Sequence, residues 1–380
     1  MFFGKKQWVA LDPIRFLVNS ETSMNVQVVH PQELTAEQIN LWSGMMNSRD
    51  FTDSPFFHPE YVLTLSRFRE PVRVGIVKEN GRPVAFFPFE RHGKSGRPLG
   101  FKLCDFQGVI RSPGTVVDAR ALLVGCGLTS WEFDHVVASH PEFLAWHLRV
   151  EDSPYLDLSQ GFDAYVAQHK KAGHKSISRT NQKRRKMERE IGPIRFAWHS
   201  TDRAVFETLL EWQSDQRRRT GTFDILQFDW VVQTLDAIRQ IEGDDFSGVL
   251  STLHVNDSLA AVFLSMTTQT DLHQWFSAYN VALGRYSPGN ILHLAMARAA
   301  AERGILRIDL GRGKEPYKKS FGSGNIFVAE GAVDLNPLRH GVRTGWYRTC
   351  EKIRNSRLHG PLQAPKRIVR GLIKRKLMRS

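Results

Sequence analysis

Apolar and polar residues follow two periods along this chain, and both predict elements. Val72–Lys78 and Val84–Glu90 are apolar runs on either side of Asn80-Gly81, a turn-forming pair, which indicates a β-hairpin. Gly248–His254 and Leu259–Met266 flank a polar turn in the same way. We therefore expect antiparallel strand pairs in both halves of the chain.

Shorter patterns predict the remaining elements. Further strands are predicted at Glu132–Val137, Trp146–Val150 and Arg195–Trp198. Further helices, with apolar residues three and four positions apart, are predicted at Asp118–Val124, Ala204–Arg219 and Trp230–Ile241. The highly charged residues 161–192 are predicted to form one helix. Strands and helices in this mixed order predict the α/β class, with mixed (α+β) sheets.

The segment from residue 272 to residue 322 carries the most specific pattern. A strand, Leu272–Asn280, leads into a loop, after which Ser287 and Pro288 suit the N-cap and the first position of a helix. The helix is predicted to end at Gly304, and Ile305–Leu310 follows as a short strand. Unpaired N–H groups and the helix dipole favour phosphate at such a helix start. An ordinary capped helix without a ligand remains the alternative.

This segment resembles a known family. The run YSPGN…HLAMARAAAERG…RIDLGRGKEPYKKSFG resembles the BioF2-like acetyltransferase domain of the CelD/BcsL cellulose-biosynthesis group, which is related to the Fem-type aminoacyltransferases of peptidoglycan bridges. The resemblance is strong over 287–322, weaker back to about residue 160, and reaches SPFFHPEY at 54–61 and GRPVAFFP at 81–88. It implies the fold of the GNAT acyltransferases, in which two parallel strands splay apart and a pantetheine arm lies in the opening.

The resemblance also implies two GNAT-like domains in tandem. Residues 26–160 would be a degenerate domain that has lost its donor site, and residues 161–338 the active domain. Residues 1–25 would form a loosely attached lead and residues 339–380 a basic tail. The expected donor is acetyl-CoA or another acyl-CoA. The chain lacks the usual phosphate signature of the fold, Gln/Arg-x-x-Gly-x-Gly/Ala, so this donor rests on the resemblance alone.

Three residues are candidates for catalysis. Asp309, at the end of the short strand, is expected to help deprotonate the acceptor; the alternative is that it caps the turn at Gly311. Tyr317, Lys318 and Phe321 resemble the Phe-Lys-x-Gly-Phe run of the Fem-type enzymes, which implies that Lys318 stabilises charge in the transition state. Tyr317 is expected to protonate the leaving thiolate. A surface lysine and a packed aromatic ring are the alternatives for these two residues.

Binding residues are expected on both sides of the opening. The donor would be held by Ser287, Pro288, Gly289, Asn290 and Tyr279. The acceptor would be contacted by His273, Gln274, Arg312 and Glu315. For His273 a core or surface position is the alternative, and Arg312 and Glu315 can instead pair with each other.

Charge and cysteine content limit the choice of function. Of the net charge of +13, residues 339–380 contribute +12, from thirteen Lys or Arg and one acidic residue, so the body is nearly neutral. The three cysteines show neither a disulfide framework nor zinc spacing, and we expect no metal. No signal peptide or membrane span is expected, and the predicted location is the cytoplasm, with peripheral membrane contact.

Two basic segments leave alternatives open. Residues 170–190 carry nine bases and two acids, which is typical of a solvated helix face or of a patch for an anionic substrate. In the tail, apolar residues fall on one helical face at Ile368, Val369, Leu372, Ile373, Leu377 and Met378. This pattern is typical of a helix on an anionic membrane or in contact with a synthase complex, with a disordered solubilising tail as the alternative.

The expected function is therefore acyl transfer, most specifically of acetyl, to an amine or hydroxyl of a sugar, exopolysaccharide or cell-envelope precursor. The acceptor, a small molecule or glycan, is implied by the resemblance. One rival is a Fem-type transferase that uses aminoacyl-tRNA, the single case in which a nucleic-acid partner is expected. The other is a non-catalytic accessory protein of a membrane polysaccharide synthase.

Overall fold

The fold is built around one long sheet. The computed structural model describes residues 25–46, 53–313 and 315–354, and across these ranges thirteen strands join in a single sheet. The strands are β1 Asn25–Val29, β2 Val72–Glu79, β3 Arg82–His92, β4 Ser95–Arg97, β5 Ile110–Arg111, β6 Ser130–Val137, β7 His147–Asp157, β8 Ile194–Ala197, β9 Ser247–Val255, β10 Ser258–Thr267, β11 Asp271–Tyr279, β12 Arg307–Asp309 and β13 Gly324–Asp334.

Helices cover both faces of the sheet. The α-helices are α1 Ala36–Met46, α2 Pro59–Ser66, α3 Ala119–Gly125, α4 Phe162–Lys171, α5 Ser176–Glu190, α6 Arg203–Thr220, α7 Asp229–Arg239, α8 Pro288–Glu302, α9 Pro316–Phe321 and α10 Pro337–Arg354. Short 3-10 turns lie at Pro31–Glu33, Pro55–Phe57, Pro141–Trp146, Ile225–Gln227 and Val281–Tyr286. The mixed α/β class predicted from the sequence is confirmed.

The strand order joins the two halves of the chain. It runs β1-β2-β3-β4-β6-β13-β7-β12-β11-β10-β9-β8, with β5 paired to β3. The last strand, β13, lies between β6 and β7 of the first half, and β7 pairs in turn with β12 of the second half. Most pairs are antiparallel, whereas β11 and β12 are parallel because α8 crosses between them. The proposed division at residue 160 stays a prediction.

Apolar faces explain the layering. In the second half, α6 and α7 pack Phe206 and Leu235 against one face of β9–β11, and α8 packs Leu292 and Met296 against the other. In the first half, α1 and α2 cover one face of β2 and β3, and α3 covers the opposite face. The amphipathic pattern of each helix thus sets the face of the sheet that it covers.

Several predicted elements are confirmed and some are corrected. Both hairpins form, as β2–β3 and β9–β10, and the helices α6, α7 and α8 lie where the pattern placed them. The single helix over 161–192 is wrong: α4 and α5 are separate, because Gly173 adopts a left-handed φ of 80° between them. The short strand is only three residues long, and β7 extends seven residues beyond its predicted end at Val150.

The ends of the chain limit what is described. Residues 1–24 of the predicted lead and the apolar face predicted at 368–378 lie outside the described residues. Among the described helices, none is both long and apolar enough to cross a membrane.

Candidate active site

The sheet opens where β11 and β12 separate. The two strands pair only from Asp271–Arg307 to His273–Asp309. Beyond this point β11 continues to Tyr279 without a β12 partner. The segment that follows β12 turns away at Gly311, whose φ is 72°. The edge of β11 therefore faces an opening between two parallel strands, which gives a ligand access to unpaired backbone groups.

A β-bulge lies at the same place. Leu264 of β10 pairs with Phe276, and the next residue, Ser265, pairs with Gln274, so Trp275 has no opposing residue. A bulge of this kind re-aims the backbone of its strand. Because the β12 pairing ends at Asp309, the edge of β11 near Trp275 has no paired strand on the side of the opening. Nothing in the sequence marks a bulge at this residue, and sequence analysis missed it.

Beside the opening, a histidine is held between two carboxylates. His273 Nε2 donates to Asp105 Oδ2 at 3.1 Å, and its Nδ1 lies 3.2 Å from Asp309 Oδ1 as an ion pair. The rings of Phe56 and Phe106 pack edge-on against the imidazole, which is 0% exposed. Burial by itself would lower the pKa of His273, but the two carboxylates raise it to about 9. His273 is therefore an imidazolium at neutral pH, fixed in position inside the protein.

Asp105 is the accessible end of this chain of charges. Its side chain is 30% exposed, compared with 7% for Asp309. Burial acts to raise the pKa of Asp105, but the hydrogen bond from His273 and the charges of His135 and Lys318 hold it below its usual value. Sequence analysis missed this residue, because its segment has no regular period; the available signal was an acid between apolar neighbours.

A second polar cluster adjoins the first. Asp134 forms an ion pair with Lys102 and accepts from Gln107 Nε2 at 2.8 Å, while its neighbour His135 lies 3.8 Å from Asp105. Despite burial, the charges of His135 and Lys102 lower the pKa of Asp134 well below its usual range. Arg312 donates to the Asp134 carbonyl oxygen at 2.7 Å. The two clusters therefore form one continuous and largely buried network of charged groups.

Lys318 lies beneath the turn that follows β12. It is buried, and its Nζ donates to the carbonyl oxygens of Gly311 at 3.2 Å and Arg312 at 3.1 Å. Glu315 lies 3.3 Å from the same ammonium. The alternative of a solvated surface lysine therefore does not hold. Glu315 pairs with Lys318, and Arg312 lies 3.4 Å from Glu151, so the alternative of an Arg312–Glu315 pair is not found among the described ion pairs.

Asp309 has a structural role in this conformation. Its Oδ1 accepts from the backbone N–H of Gly311 at 2.6 Å, and Ser153 Oγ donates to it at 3.3 Å. Both interactions, together with the contact to His273, fix the turn that opens the site. The capping alternative is therefore what the geometry shows, and proton abstraction by Asp309 stays a prediction.

Two of the four residues expected to contact the acceptor, His273 and Gln274, lie on opposite faces of the sheet. His273 faces Asp105, whereas Gln274 faces α8, where its Oε1 accepts from His293 Nδ1 at 2.9 Å. Successive side chains of a strand alternate between faces, so both cannot meet one substrate from the same side. Tyr317, half-buried on α9, packs near His293. Burial and nearby acids raise the pKa of Tyr317, which keeps its hydroxyl protonated.

The predicted donor end differs from a simple cap. Ser287 adopts a left-handed conformation, with φ 54° and ψ 57°, and its side chain makes no capping hydrogen bond. Ser287 therefore occupies the predicted N-cap position, and its carbonyl oxygen accepts from the N–H groups of Asn290 and Ile291, but its side chain does not cap the helix. Oγ instead accepts from Lys183 Nζ of α5 at 2.7 Å. Pro288 begins α8, as expected, with Gly289 and Asn290 in the same first turn.

Two clefts flank the opening. One, of about 760 Å³, lies between the end of α6 and the end of β11 and is lined by Trp212, Asp215, Gln216, Arg218, Arg219, Thr220, Tyr279, Asn280 and Val281. Tyr279 links it to α8, since a Cβ on Gly289 would lie 3.8 Å from the Tyr279 ring. The other, of about 670 Å³, lies beside β7 and β13 and contains Arg149, Glu151, Arg312, Lys318 and Lys319. In the described part of the chain, no group of His, Cys, Asp and Glu is arranged to hold a metal ion.

Comparisons with known proteins agree with this geometry. Residues 174–319 match the family model described as an acetyltransferase (GNAT) domain. The crystal structure of FemX matches with a TM-score of 0.55 and 11% identity, covering 83% of this chain and 99% of that chain. No curated protein matches the sequence. At this level of identity, the likeness to FemX shows the fold alone.

Two further structures are similar at lower scores. The C-terminal domain of a putative lysylphosphatidylglycerol synthetase from Agrobacterium fabrum matches with a TM-score of 0.48 and 12% identity, covering 84% of this chain and 96% of that chain. A tandem GNAT protein from the clavulanic acid biosynthesis pathway matches with a TM-score of 0.45 and 12% identity, covering 83% and 99%.

Proposed function

We propose that the protein transfers an acyl group from acyl-CoA to an amine or hydroxyl, in keeping with the match of residues 174–319 to a GNAT acetyltransferase domain. Acetyl-CoA is the first donor to test, and the proposed acceptor is a sugar, exopolysaccharide or cell-envelope precursor. The observation that supports this best is the opening between β11 and β12, beside the start of α8.

The donor end is suited to phosphate. The first turn of α8 presents N–H groups and the positive end of the helix dipole. Lys183 adds a cation at the same point through its contact with Ser287, and it has no acidic partner among the described residues. The ring of Tyr279 and the basic rim at Arg219 line the adjoining cleft. Two positive groups that converge without an acid favour an anionic ligand.

Asp105 is the best-placed group to receive the acceptor's proton. It is accessible and its low pKa keeps it ionised at neutral pH. The acceptor loses its proton as its nitrogen or oxygen bonds to the acyl carbon, when its own acidity has risen steeply. A carboxylate of low pKa can then accept the proton. His273, behind Asp105, fixes the carboxylate and carries the compensating positive charge.

Other groups act on the acyl carbonyl and on the leaving thiolate. The proposed donor to the oxygen on which negative charge develops is the backbone of β11 at the Trp275 bulge. Lys318 holds the facing turn and adds positive potential. The Tyr317 hydroxyl, which stays protonated and makes no hydrogen bond among the described residues, supplies a proton to the thiolate.

The acceptor class is supported by the second cleft. Charges of both signs line it, with Arg149, Arg312 and Lys319 beside Glu151 and Asp152. Such a surface suits a ligand with many hydroxyl groups and a few charges, since each side chain can donate to or accept from it. The sugar and exopolysaccharide class also rests on the resemblance to the cellulose-biosynthesis acetyltransferases.

A second candidate is transfer from aminoacyl-tRNA. It is favoured by α5, whose basic face carries Lys183 to the start of α8. A polynucleotide donor would place a phosphate backbone along this helix, and its binding would weaken steeply with salt. Activity that requires charged tRNA and is unaffected by acyl-CoA would favour this candidate.

Binding of acetyl-CoA tests the main proposal directly. Isothermal titration calorimetry would compare wild type with Gly289→Glu and with Gly44→Glu at fixed salt. Gly289 has space for a side chain, so the added carboxylate lies at the proposed phosphate position without disrupting the helix. Gly44 is equally open on α1 and serves as the matched charge control.

We expect wild type and Gly44→Glu to bind alike. Gly289→Glu should bind at least about tenfold more weakly, because a like charge a few ångströms from a phosphate costs more than 1 kcal/mol. The proposed donor site would be overturned if wild type did not bind acetyl-CoA. It would also be overturned if all three proteins bound acetyl-CoA equally.

A further inference from the structure

The C-terminal helix α10 packs on the body through polar residues. Arg343 donates to Asp334 at 2.8 Å and to Glu132 at 2.7 Å, which ties the helix to β13 and β6. His340 packs edge-on against Trp146 with ring centroids 5.2 Å apart. These residues recur three positions apart, so one polar side of α10 faces the protein.

Three apolar residues of α10 lie on its outer side. Leu338, Val342 and Trp346 are 81%, 74% and 69% exposed. They are four positions apart and fall within about 80° of one another around the helix. A helix packed on a protein in water normally does the reverse, with apolar residues inward and polar residues outward. The stripe formed by these three residues is therefore suited to an apolar environment outside the protein.

The charge around the stripe identifies this environment. The exposed Arg339 borders it, and Arg348 is exposed farther along the helix. The sequence that follows, residues 355–380, contains eight Lys or Arg and no acid. An apolar stripe flanked by bases and ending in tryptophan is typical of a helix that lies in the interface of an anionic bilayer. Anionic headgroups also attract a basic segment close to the surface.

We propose that α10 docks the protein on an anionic lipid surface, with Leu338, Val342 and Trp346 inserted at the boundary between headgroups and acyl chains. The polar side of α10 stays bound to β13 and β6, so the whole fold is carried to the membrane. The proposal does not depend on acyl transfer. If the acceptor is an envelope precursor, docking would bring the site to its substrate.

Vesicle cosedimentation tests this proposal on the full chain. The lipids are phosphatidylcholine alone and phosphatidylcholine mixed with phosphatidylglycerol. The test variant combines Leu338→Ser with Val342→Ser. The control combines Leu41→Ser with Leu306→Ser, which also removes two exposed aliphatic residues, one from α1 and one from the segment before β12. Thermal unfolding should be unchanged in both, because all four side chains are exposed.

Wild type and the control should bind the mixed vesicles, bind phosphatidylcholine far more weakly, and dissociate as salt is raised. The test variant should bind the mixed vesicles about tenfold more weakly, because two inserted side chains are lost. Equal binding by wild type and the test variant would mean that charge alone acts, and would overturn the proposal. The proposal also fails if wild type does not bind the mixed vesicles. It fails as well if wild type is a dimer that the test variant breaks, because the stripe would then bind a second copy of the chain.

Discussion

The charge of His273 predicts how stability changes with pH. Its ring is fully buried, and Asp105 and Asp309 raise its pKa to about 9 against the effect of burial. In the unfolded chain the pKa of histidine is about 6.5. The folded protein therefore binds this proton more tightly. Its contribution to stability is complete below pH 6.5 and is lost as the pH rises through 9.

The size of the effect follows from the two pKa values. A difference of about 2.5 units corresponds to roughly 3 kcal/mol of unfolding free energy at low pH. About 2 kcal/mol of this is lost between pH 7 and pH 9, because the unfolded chain has released the proton in this range while the folded protein still holds it. A loss of this size is a large fraction of the stability of an ordinary protein.

A second buried histidine supplies an internal control. His293 lies on α8 and is also almost fully buried, but burial lowers its pKa to about 4. It is neutral in the folded protein, so its contribution is present above pH 6.5 and is lost as the pH falls towards 4. The two histidines therefore predict opposite slopes on the two sides of neutrality.

Urea unfolding followed by tryptophan fluorescence, from pH 5 to pH 10, would measure both slopes. The proteins are wild type, His273→Gln and His293→Asn. The stability advantage of wild type over His273→Gln should shrink by about 2 kcal/mol between pH 7 and pH 9. The stability advantage of wild type over His293→Asn should stay constant between pH 7 and pH 9 and should shrink below pH 6. Other ionisable groups, such as the buried thiol of Cys104, are present in all three proteins. Their contributions therefore cancel when the unfolding free energies of the proteins are subtracted from one another.

A difference between wild type and His273→Gln that stays constant from pH 6 to pH 10 would refute the reasoning. His273 would then be neutral in the folded protein, and the ion pairs with Asp105 and Asp309 would not exist in solution.

Two further predictions concern the proposed reaction. Asp105→Asn should lower kcat by about 10²-fold or more while leaving the KM of the donor unchanged, as expected for loss of a general base; an unchanged kcat in steady-state assays would remove Asp105 from the mechanism. Lys318→Met should lower the unfolding free energy by about 2 kcal/mol, because the carbonyls of Gly311 and Arg312 lose a buried donor. Urea titration checks this, and unchanged stability would show that Lys318 does not hold the turn.

Local patterns predicted much of the fold. Alternating residues with a turn between them predicted the β2–β3 and β9–β10 hairpins, because each pairing partner is close in sequence. The helical period and Pro288 located α8, and the resemblance to the GNAT acyltransferases implied the two parallel strands on either side of it. The resemblance around residues 287–322 implied a GNAT fold, and residues 174–319 match the model of a GNAT acetyltransferase domain.

Local patterns predicted the structure less well at two residues, Gly173 and Ser287, which both adopt a left-handed backbone conformation. Gly173 suits a helix less well than a break, and it divides α4 from α5. Ser287 is a favoured N-cap, yet Lys183 binds its hydroxyl and the residue adopts a left-handed conformation. The contact of Ser287 is made with a different helix, and a pattern read along the sequence does not show such contacts.

The arrangement of the site was decided by the tertiary structure. Asp105 and His273 are 168 residues apart, and β7 of the first half and β12 of the second must pair before Ser153 can reach Asp309. The sequence indicated His273, Asp309 and Lys318 as candidates. It could not show that His273 is a buried cation, that Asp309 fixes the turn after β12, or that Lys318 lies beneath this turn. A charged side chain takes its role from its burial and its neighbours, and both are set by long-range contacts that the order of residues does not display.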